Sequence, residues 1–148
     1  MWNLNYDSVK EVISVLESEG LAMSKKFGQN FLIDHNARES IREKIAYKEN
    51  ISAWEIGPGM GAITSLVLNS GIKVKAFEID KGFCRLLKER AFSDEANFTL
   101  IEGDALKTIV NQSEIPDIIY GNLPYNVGSI IIARLIENNI LPERMVYT

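Results

Sequence analysis

From residue 51 onward, segments typical of β-strands alternate with segments typical of α-helices, and this alternation constrains the fold more than any other feature of the sequence. Strand-like segments occur at 51–57, 73–79, 98–103, 117–121 and 144–148. Helical segments occur between them at 62–71, 81–92 and 128–139. Such an alternation is typical of a parallel sheet with helices on both faces and right-handed crossovers. We therefore predict an α/β fold that binds its ligand at the carboxyl ends of the strands.

The composition is that of an ordinary globular chain, and it argues against several other classes. The chain has 148 residues, 46% hydrophobic and 24% charged, which is enough for one domain with a core. No apolar stretch approaches the roughly 18 residues of a membrane span, and the N-terminus lacks the pattern of a signal peptide. Cys84 is the single cysteine and His35 the single histidine. We therefore expect a cytoplasmic protein with no metal site and no internal disulfide.

The first 50 residues show helical patterns and no strand pattern. Ser8 and Glu11 form a capping-box pattern ahead of a helix that ends at Gly20. Asp34 is predicted to cap a second helix over 35–49. We therefore expect two regions, an N-terminal helical and loop segment at 1–50 and an α/β core at 51–148.

The first two strands end in residues that suit a nucleoside ligand. EIGPGMG (55–61) places Gly57, Gly59 and Gly61 directly after a strand and before a helix, where glycine lets the backbone approach a ligand closely. A plain strand-to-helix turn explains the same glycines. Glu78 ends the second strand, where a carboxylate can accept hydrogen bonds from both ribose hydroxyls. A solvated charge at a strand end is the alternative.

The third and fourth strand ends allow two interpretations each. Asp104 can accept a hydrogen bond from an adenine amino group, or it can cap a helix. In GNLPYN (121–126), Gly, Asn and Pro favour a turn. The same segment can also grip a flat ring through Asn122 and Tyr125. Each strand end has a structural explanation by itself, whereas their occurrence in order along an α/β chain favours a binding site.

Five segments carry a resemblance to known proteins: KKFGQNFLID (25–34), EIGPGMGAIT (55–64), FEID (77–80), EGDAL (102–106) and GNLPYNV (121–127). They resemble the motifs of S-adenosylmethionine-dependent methyltransferases, and more narrowly those of the small-subunit (16S) ribosomal RNA adenine dimethyltransferases. The resemblance extends from about residue 21 to the end of the chain. It implies a Rossmann-like class I methyltransferase fold, truncated after about five parallel strands, without the family's C-terminal helical domain.

The resemblance also implies a reaction. The family uses S-adenosylmethionine to convert two adjacent adenosines to N6,N6-dimethyladenosine, in a hairpin loop near the 3′ end of small-subunit ribosomal RNA. The implied partner is this RNA, or the immature small ribosomal subunit, during ribosome maturation. We expect a monomer that has no membrane association. Because the family continues beyond the point where this chain stops, we expect the fragment to be inactive.

The resemblance assigns roles to individual residues. In the catalytic segment, the side-chain carbonyl of Asn122 and the backbone carbonyl of Leu123 would accept the N–H bonds of the target amino group. Pro124 would restrain Leu123, and Tyr125 would stack on the base. The residues implied for cofactor binding are Asn30, Leu32, Gly57, Gly59, Glu78, Asp104 and Asn122.

Lys25 and Lys26 are candidates for contacts to RNA phosphates, although a solvated pair of charges on a loop explains them equally well. The formal net charge of −4 argues weakly against a broad basic surface, but a local patch matters more than the sum.

Three other functions remain open from the sequence. The related large-subunit ribosomal RNA adenine methylases that confer macrolide resistance share the QNF and glycine-loop motifs. A non-catalytic ribosome-assembly or transcription factor could keep the fold, although Asn122 and Tyr125 are both present. A nicotinamide-dependent enzyme could use a similar sheet, although the G-x-G-x-G spacing and NLPY argue against it.

Overall fold

The computed structural model describes residues 1–21 and 34–148. The predicted alternation is confirmed: five parallel strands form one sheet in the order β3-β2-β1-β4-β5. The strands are β1 (Ser52–Ile56), β2 (Lys73–Glu78), β3 (Phe98–Glu102), β4 (Ile118–Gly121) and β5 (Arg144–Tyr147). The helices are α1 (Val9–Ser18), α2 (His35–Ile45), α3 (Ala62–Asn69), α4 (Lys81–Leu86), α5 (Ala105–Thr108) and α6 (Tyr125–Glu137).

The two faces of the sheet are covered by different helices. Ala53 packs in the cluster that includes α2 and α3, whereas its neighbour Trp54 packs in the cluster that includes α6. This follows from the alternation of side chains along a strand. A third cluster joins α1 and the N-terminal segment to α4 and to Met60. The sheet is thus buried on both faces, and its carboxyl edge remains as the place for a ligand.

The N-terminal helices begin as predicted but end earlier. The Ser8 side chain accepts from the Glu11 backbone N–H at 3.2 Å, so α1 begins at the predicted cap. The capping box is incomplete, because the Glu11 carboxylate accepts from the Asn5 backbone N–H instead. Helix α1 ends at Ser18, two residues before Gly20.

Helix α2 begins after Asp34, whose side chain accepts from the Asn36 backbone N–H, and it ends at Ile45. The prediction that this helix extends to residue 49 is wrong because tertiary contacts compete with the last turn. The Lys44 carbonyl accepts from Arg144 Nη1 at 3.0 Å, and the Arg144 guanidinium lies over the Tyr47 ring at 4.0 Å.

The sequence predicts one helix over 81–92, but the α-helical part, α4, ends at Leu86. The chain continues as a π-helical turn, Leu87–Ala91, in which the Phe92 N–H donates to the Leu87 carbonyl. This wider turn buries Leu87, Ala91 and Phe92 together in the core. The short helix α5 and the 3₁₀ turn after it, Ile109–Asn111, lie in a region for which the sequence predicts no full helix.

Within the described part of the chain, no helix is long and apolar enough to cross a membrane. Among the same residues, no three His, Cys, Asp or Glu side chains lie together in a way that could hold a metal ion.

Candidate functional site

The glycine-rich loop lies between β1 and α3 in a conformation that only glycine adopts without strain. Gly57, Gly59 and Gly61 have φ values of 69°, 57° and 85°. A Cβ built on Gly61 would lie 2.7 Å from the Phe92 ring, so this glycine is required by packing. A Cβ on Gly59 would have no heavy atom within 4 Å. The backbone at Gly59 is therefore open to a ligand.

Glu78 lies at the carboxyl end of β2 and is tied to the glycine-rich loop. It is 6% exposed, so the interpretation as a solvated charge is wrong. Its Oε1 accepts from the Gly59 N–H at 3.0 Å, and its Oε2 accepts from the Ile79 N–H at 2.9 Å. Burial raises the pKa of this carboxyl, although its backbone hydrogen bonds lower it. The carboxylate still has lone pairs for further donors, because each oxygen can accept more than one hydrogen bond.

Asp104 follows β3 and caps α5. Its Oδ1 accepts from the Leu106 backbone N–H at 3.0 Å, so the capping interpretation is confirmed. Glu78 pairs with Glu102 in the β2–β3 register, which places Asp104 two residues beyond the same edge. Its role toward an adenine amino group stays a prediction.

The NLPY segment connects β4 to α6. Pro124 is the N-cap of α6, which begins at Tyr125 and not at residue 128 as predicted. The helix begins earlier because the φ of Pro124, −53°, already suits a helix start, and Gly128 is accommodated inside the helix. Tyr125 therefore lies on the first turn of a helix, with 91% of its surface exposed. The segment is thus a strand-to-helix connection that presents an aromatic ring to solvent.

The NLPY segment contacts the glycine-rich loop. A Cβ on Gly57 would lie 3.2 Å from Leu123 Cδ2, and a Cβ on Gly121 would lie 2.8 Å from the Ile56 carbonyl oxygen. The end of β1 therefore approaches Gly121 too closely for a side chain there, and a side chain at Gly57 would require Leu123 to shift. The Asn122 Oδ1 accepts from Thr148 Oγ1 at 2.8 Å, which connects the segment to β5 as well.

A buried hydrogen-bond network below this edge was not predicted as part of the site. Glu55 Oε2 accepts from Thr64 Oγ1 at 2.5 Å and from the Tyr120 hydroxyl at 3.0 Å. Glu55 is 3% exposed, and burial raises its pKa to about 7. The network joins the helix after the glycine-rich loop to the strand before NLPY. An acidic residue inside an otherwise apolar strand is the sequence signal that indicates it.

The structure thus brings Gly57, Gly59, Glu78 and the NLPY segment together, with Asp104 at the same edge. Asn30, Leu32, Lys25 and Lys26 lie outside the described residues. Cys84 and His35 take structural positions: the Cys84 thiol donates to the Glu78 carbonyl at 3.3 Å, and His35 Nδ1 lies 3.4 Å from an Asp7 carboxylate oxygen.

Comparisons of the sequence with a family model and with curated proteins both match ribosomal RNA methyltransferases. Residues 20–147 match the family described as ribosomal RNA adenine dimethylase. The chain is 45% identical over 149 residues to the ribosomal RNA small subunit methyltransferase A of Treponema denticola, and 44% identical over 146 residues to that of Borreliella afzelii. These alignments cover 97% and 99% of the chain but 50% and 51% of the two relatives. The chain therefore spans about half the length of the curated relatives it matches.

Solved structures of methyltransferases resemble the same fold. A dimethyladenosine transferase from Plasmodium falciparum matches with a TM-score of 0.59 and 28% identity, over 74% of this chain and 39% of that one. The 23S ribosomal RNA methyltransferase ErmE matches with a TM-score of 0.59 and 24% identity, over 72% of this chain and 43% of that one. The predicted Rossmann-like class I methyltransferase fold is confirmed by these similarities together with the parallel sheet.

Proposed function

The chain belongs to the ribosomal RNA adenine dimethylase family, and we propose that it forms the cofactor-binding part of an enzyme that methylates adenosines in small-subunit ribosomal RNA. The proposed reaction is the S-adenosylmethionine-dependent dimethylation of the N6 amino groups of two adjacent adenosines. The observation that carries the proposal is the contact between the glycine-rich loop and NLPY, since a cofactor bound at this loop would lie beside the proposed catalytic segment.

The described residues at this edge suit S-adenosylmethionine. The open backbone at Gly59 leaves room for a ligand, and the Glu78 and Asp104 carboxylates supply acceptors for ribose hydroxyls and an adenine amino group. When bound, this cofactor supplies a methyl group on a cationic sulfur, which an acidic edge favours electrostatically. Asn122 also belongs to the proposed pocket. Asn30 and Leu32 are still predicted to line this pocket, on the loop that would cover the cofactor.

The chain's own contribution to the chemistry is positioning. The lone pair of an adenine amino nitrogen is delocalised into the ring, so acceptors on its N–H bonds favour the geometry in which the lone pair can attack. Asn122 Oδ1 and the Leu123 carbonyl are the proposed acceptors, and the amino nitrogen loses one proton for each methyl it gains. The exposed ring of Tyr125 is free to stack on the base, which contributes about 1–3 kcal/mol.

The proposed partner is small-subunit ribosomal RNA within the immature subunit, with an unpaired or flipped-out target base, since the amino group is inaccessible inside a duplex. Lys25 and Lys26 are proposed RNA contacts. We further propose a cytoplasmic monomer in which the segment 1–50 covers the cofactor site of the core at 51–148. The relatives at 44–45% identity carry a small-subunit name, whereas the similarity to ErmE, at 24% identity, supports the fold alone.

Calorimetric titration of the full-length gene product tests the cofactor assignment. We expect S-adenosylmethionine to bind and NAD to bind more weakly or not at all. Glu78→Ala should weaken S-adenosylmethionine binding by roughly tenfold or more, because hydrogen bonds to a charged acceptor are lost. Glu102→Ala is the matched control, since this half-exposed carboxylate is the register partner of Glu78. Tighter binding of NAD, or equal effects of the two substitutions, would contradict the assignment.

A further inference from the structure

The first residues of the chain contact the glycine-rich loop, although they lie outside the matched region 20–147. Tyr6 is 8% exposed, and its hydroxyl donates to the Met60 carbonyl at 2.7 Å. The same hydroxyl accepts from Trp2 Nε1 at 3.0 Å. Met60 lies between Gly59 and Gly61, so this hydrogen bond reaches the centre of the loop.

Contacts outside the glycine-rich loop help to hold Tyr6 in position. The Trp2 backbone N–H donates to the Ala91 carbonyl at 2.9 Å, and the Trp2 and Tyr6 rings meet edge to face with centroids 6.4 Å apart. Asp7, the next residue, forms an ion pair with the buried Arg38 of α2. Tyr6 also packs in the cluster that joins α1 and α4 to Met60 of the loop. A hydroxyl held in this way can serve as a fixed point for a flexible segment.

The glycine-rich loop needs such a fixed point. Its three glycines have positive φ values, and glycine loses more conformational freedom on ordering than any other residue. The loop has one side-chain anchor through Glu78, which accepts from the Gly59 N–H. The bond from Tyr6 to the Met60 carbonyl is a further anchor, at the next residue along the loop. Two anchors reduce the entropy that the loop would otherwise lose when a ligand binds.

We propose that Tyr6 is a positioning residue that holds the glycine-rich loop in the conformation that binds the cofactor, with Trp2 orienting its hydroxyl. The segment 1–7 then supports the cofactor site by acting through the loop. The role in cofactor binding rests on the proposed function, whereas the role in holding the loop does not.

Tyr6→Phe in the full-length gene product tests the proposal by two measurements. Hydrogen exchange of the amides at 57–61 is measured in the cofactor-free protein, and the dissociation constant of S-adenosylmethionine is measured by calorimetry. We expect faster exchange in the loop and an affinity weakened roughly 3- to 10-fold, as the loss of one hydrogen bond predicts. Trp2→Phe keeps the Tyr6 hydroxyl but removes its donor, so it should give a smaller change in the same direction.

Tyr47→Phe is the matched control. Tyr47 packs on Arg144, which begins β5 and so lies at the opposite edge of the sheet from the loop. This variant should leave both measurements at the wild-type values. A Tyr6→Phe protein with wild-type exchange in the loop, or with a lower melting temperature but unchanged affinity, would overturn the proposal. If neither the wild type nor any variant binds the cofactor, and Tyr6→Phe still has faster exchange in the loop than the wild type and Tyr47→Phe, the anchoring role stands and the proposed function fails.

Discussion

At the scale of single residues, Asn122 carries the proposed chemistry, and its amide contacts Thr148. The Oγ1 of Thr148, the residue after β5, donates to Asn122 Oδ1 at 2.8 Å. A carbonyl oxygen has two lone pairs, so the bond from Thr148 alone does not use its whole accepting capacity. The bond to Thr148 is therefore compatible with the role proposed for Asn122.

Glu55 is the residue for which the structure predicts a pH effect. Its folded-state pKa of about 7 lies above the ordinary value of 4.5, chiefly because of burial. The folded protein therefore keeps this proton at pH values where the unfolded chain has lost it. The contribution to stability is complete below about pH 4.5 and is lost as the pH rises toward and through about 7.

Glu55→Gln should remove this pH dependence, since the amide keeps an acceptor for Thr64 and Tyr120 but has no proton to lose. We expect the free energy of unfolding of the wild type, relative to the variant, to fall by about 3 kcal/mol between pH 5 and pH 8. Urea unfolding of both proteins across this range measures the difference. The contributions of all other titrating groups are the same in both proteins and cancel in this difference. A difference that stays constant with pH would contradict the assignment.

At the scale of elements, the π-helical turn after α4 explains why the glycine-rich loop ends in a glycine, Gly61. The turn brings Phe92 into the core beside Leu87. The rings and methyl groups of these residues fill the space that a side chain at position 61 would occupy. The last glycine of the motif is therefore set by helix packing, whereas Gly59 is left open for a ligand.

Gly61→Ala should destabilise the protein more than Gly71→Ala, although both glycines have a φ near 80°. A Cβ at Gly71 would have no heavy atom within 4 Å, so only the backbone strain of about 1–2 kcal/mol applies there. At Gly61 the clash with Phe92 adds about 1–3 kcal/mol of overpacking. Urea unfolding compares the two variants. Equal losses of stability would show that the π-helical turn does not restrict the loop.

At the scale of the whole molecule, periodicity predicts the sheet because strands and helices differ in how often apolar residues recur. The strand ends are then predictable as the ligand edge, and Gly57, Glu78 and NLPY do meet there. The early end of α2 could not be predicted, because a contact distant in sequence competes with its last turn. The π-helical turn could not be predicted either, because apolar spacing does not distinguish it from an α-helical turn. The bond from Tyr6 to Met60 was missed because it joins residues 54 positions apart.

The most direct test of the account is labelled methyl transfer from S-adenosylmethionine to immature small ribosomal subunits by the full-length gene product. We expect two adjacent adenosines near the 3′ end of the small-subunit RNA to become dimethylated. Asn122→Ala should lower the rate by about 100-fold or more, since a preorganised polar group at the reacting atom is lost. Transfer to large-subunit RNA instead, or a near-normal rate for Asn122→Ala, would contradict the account.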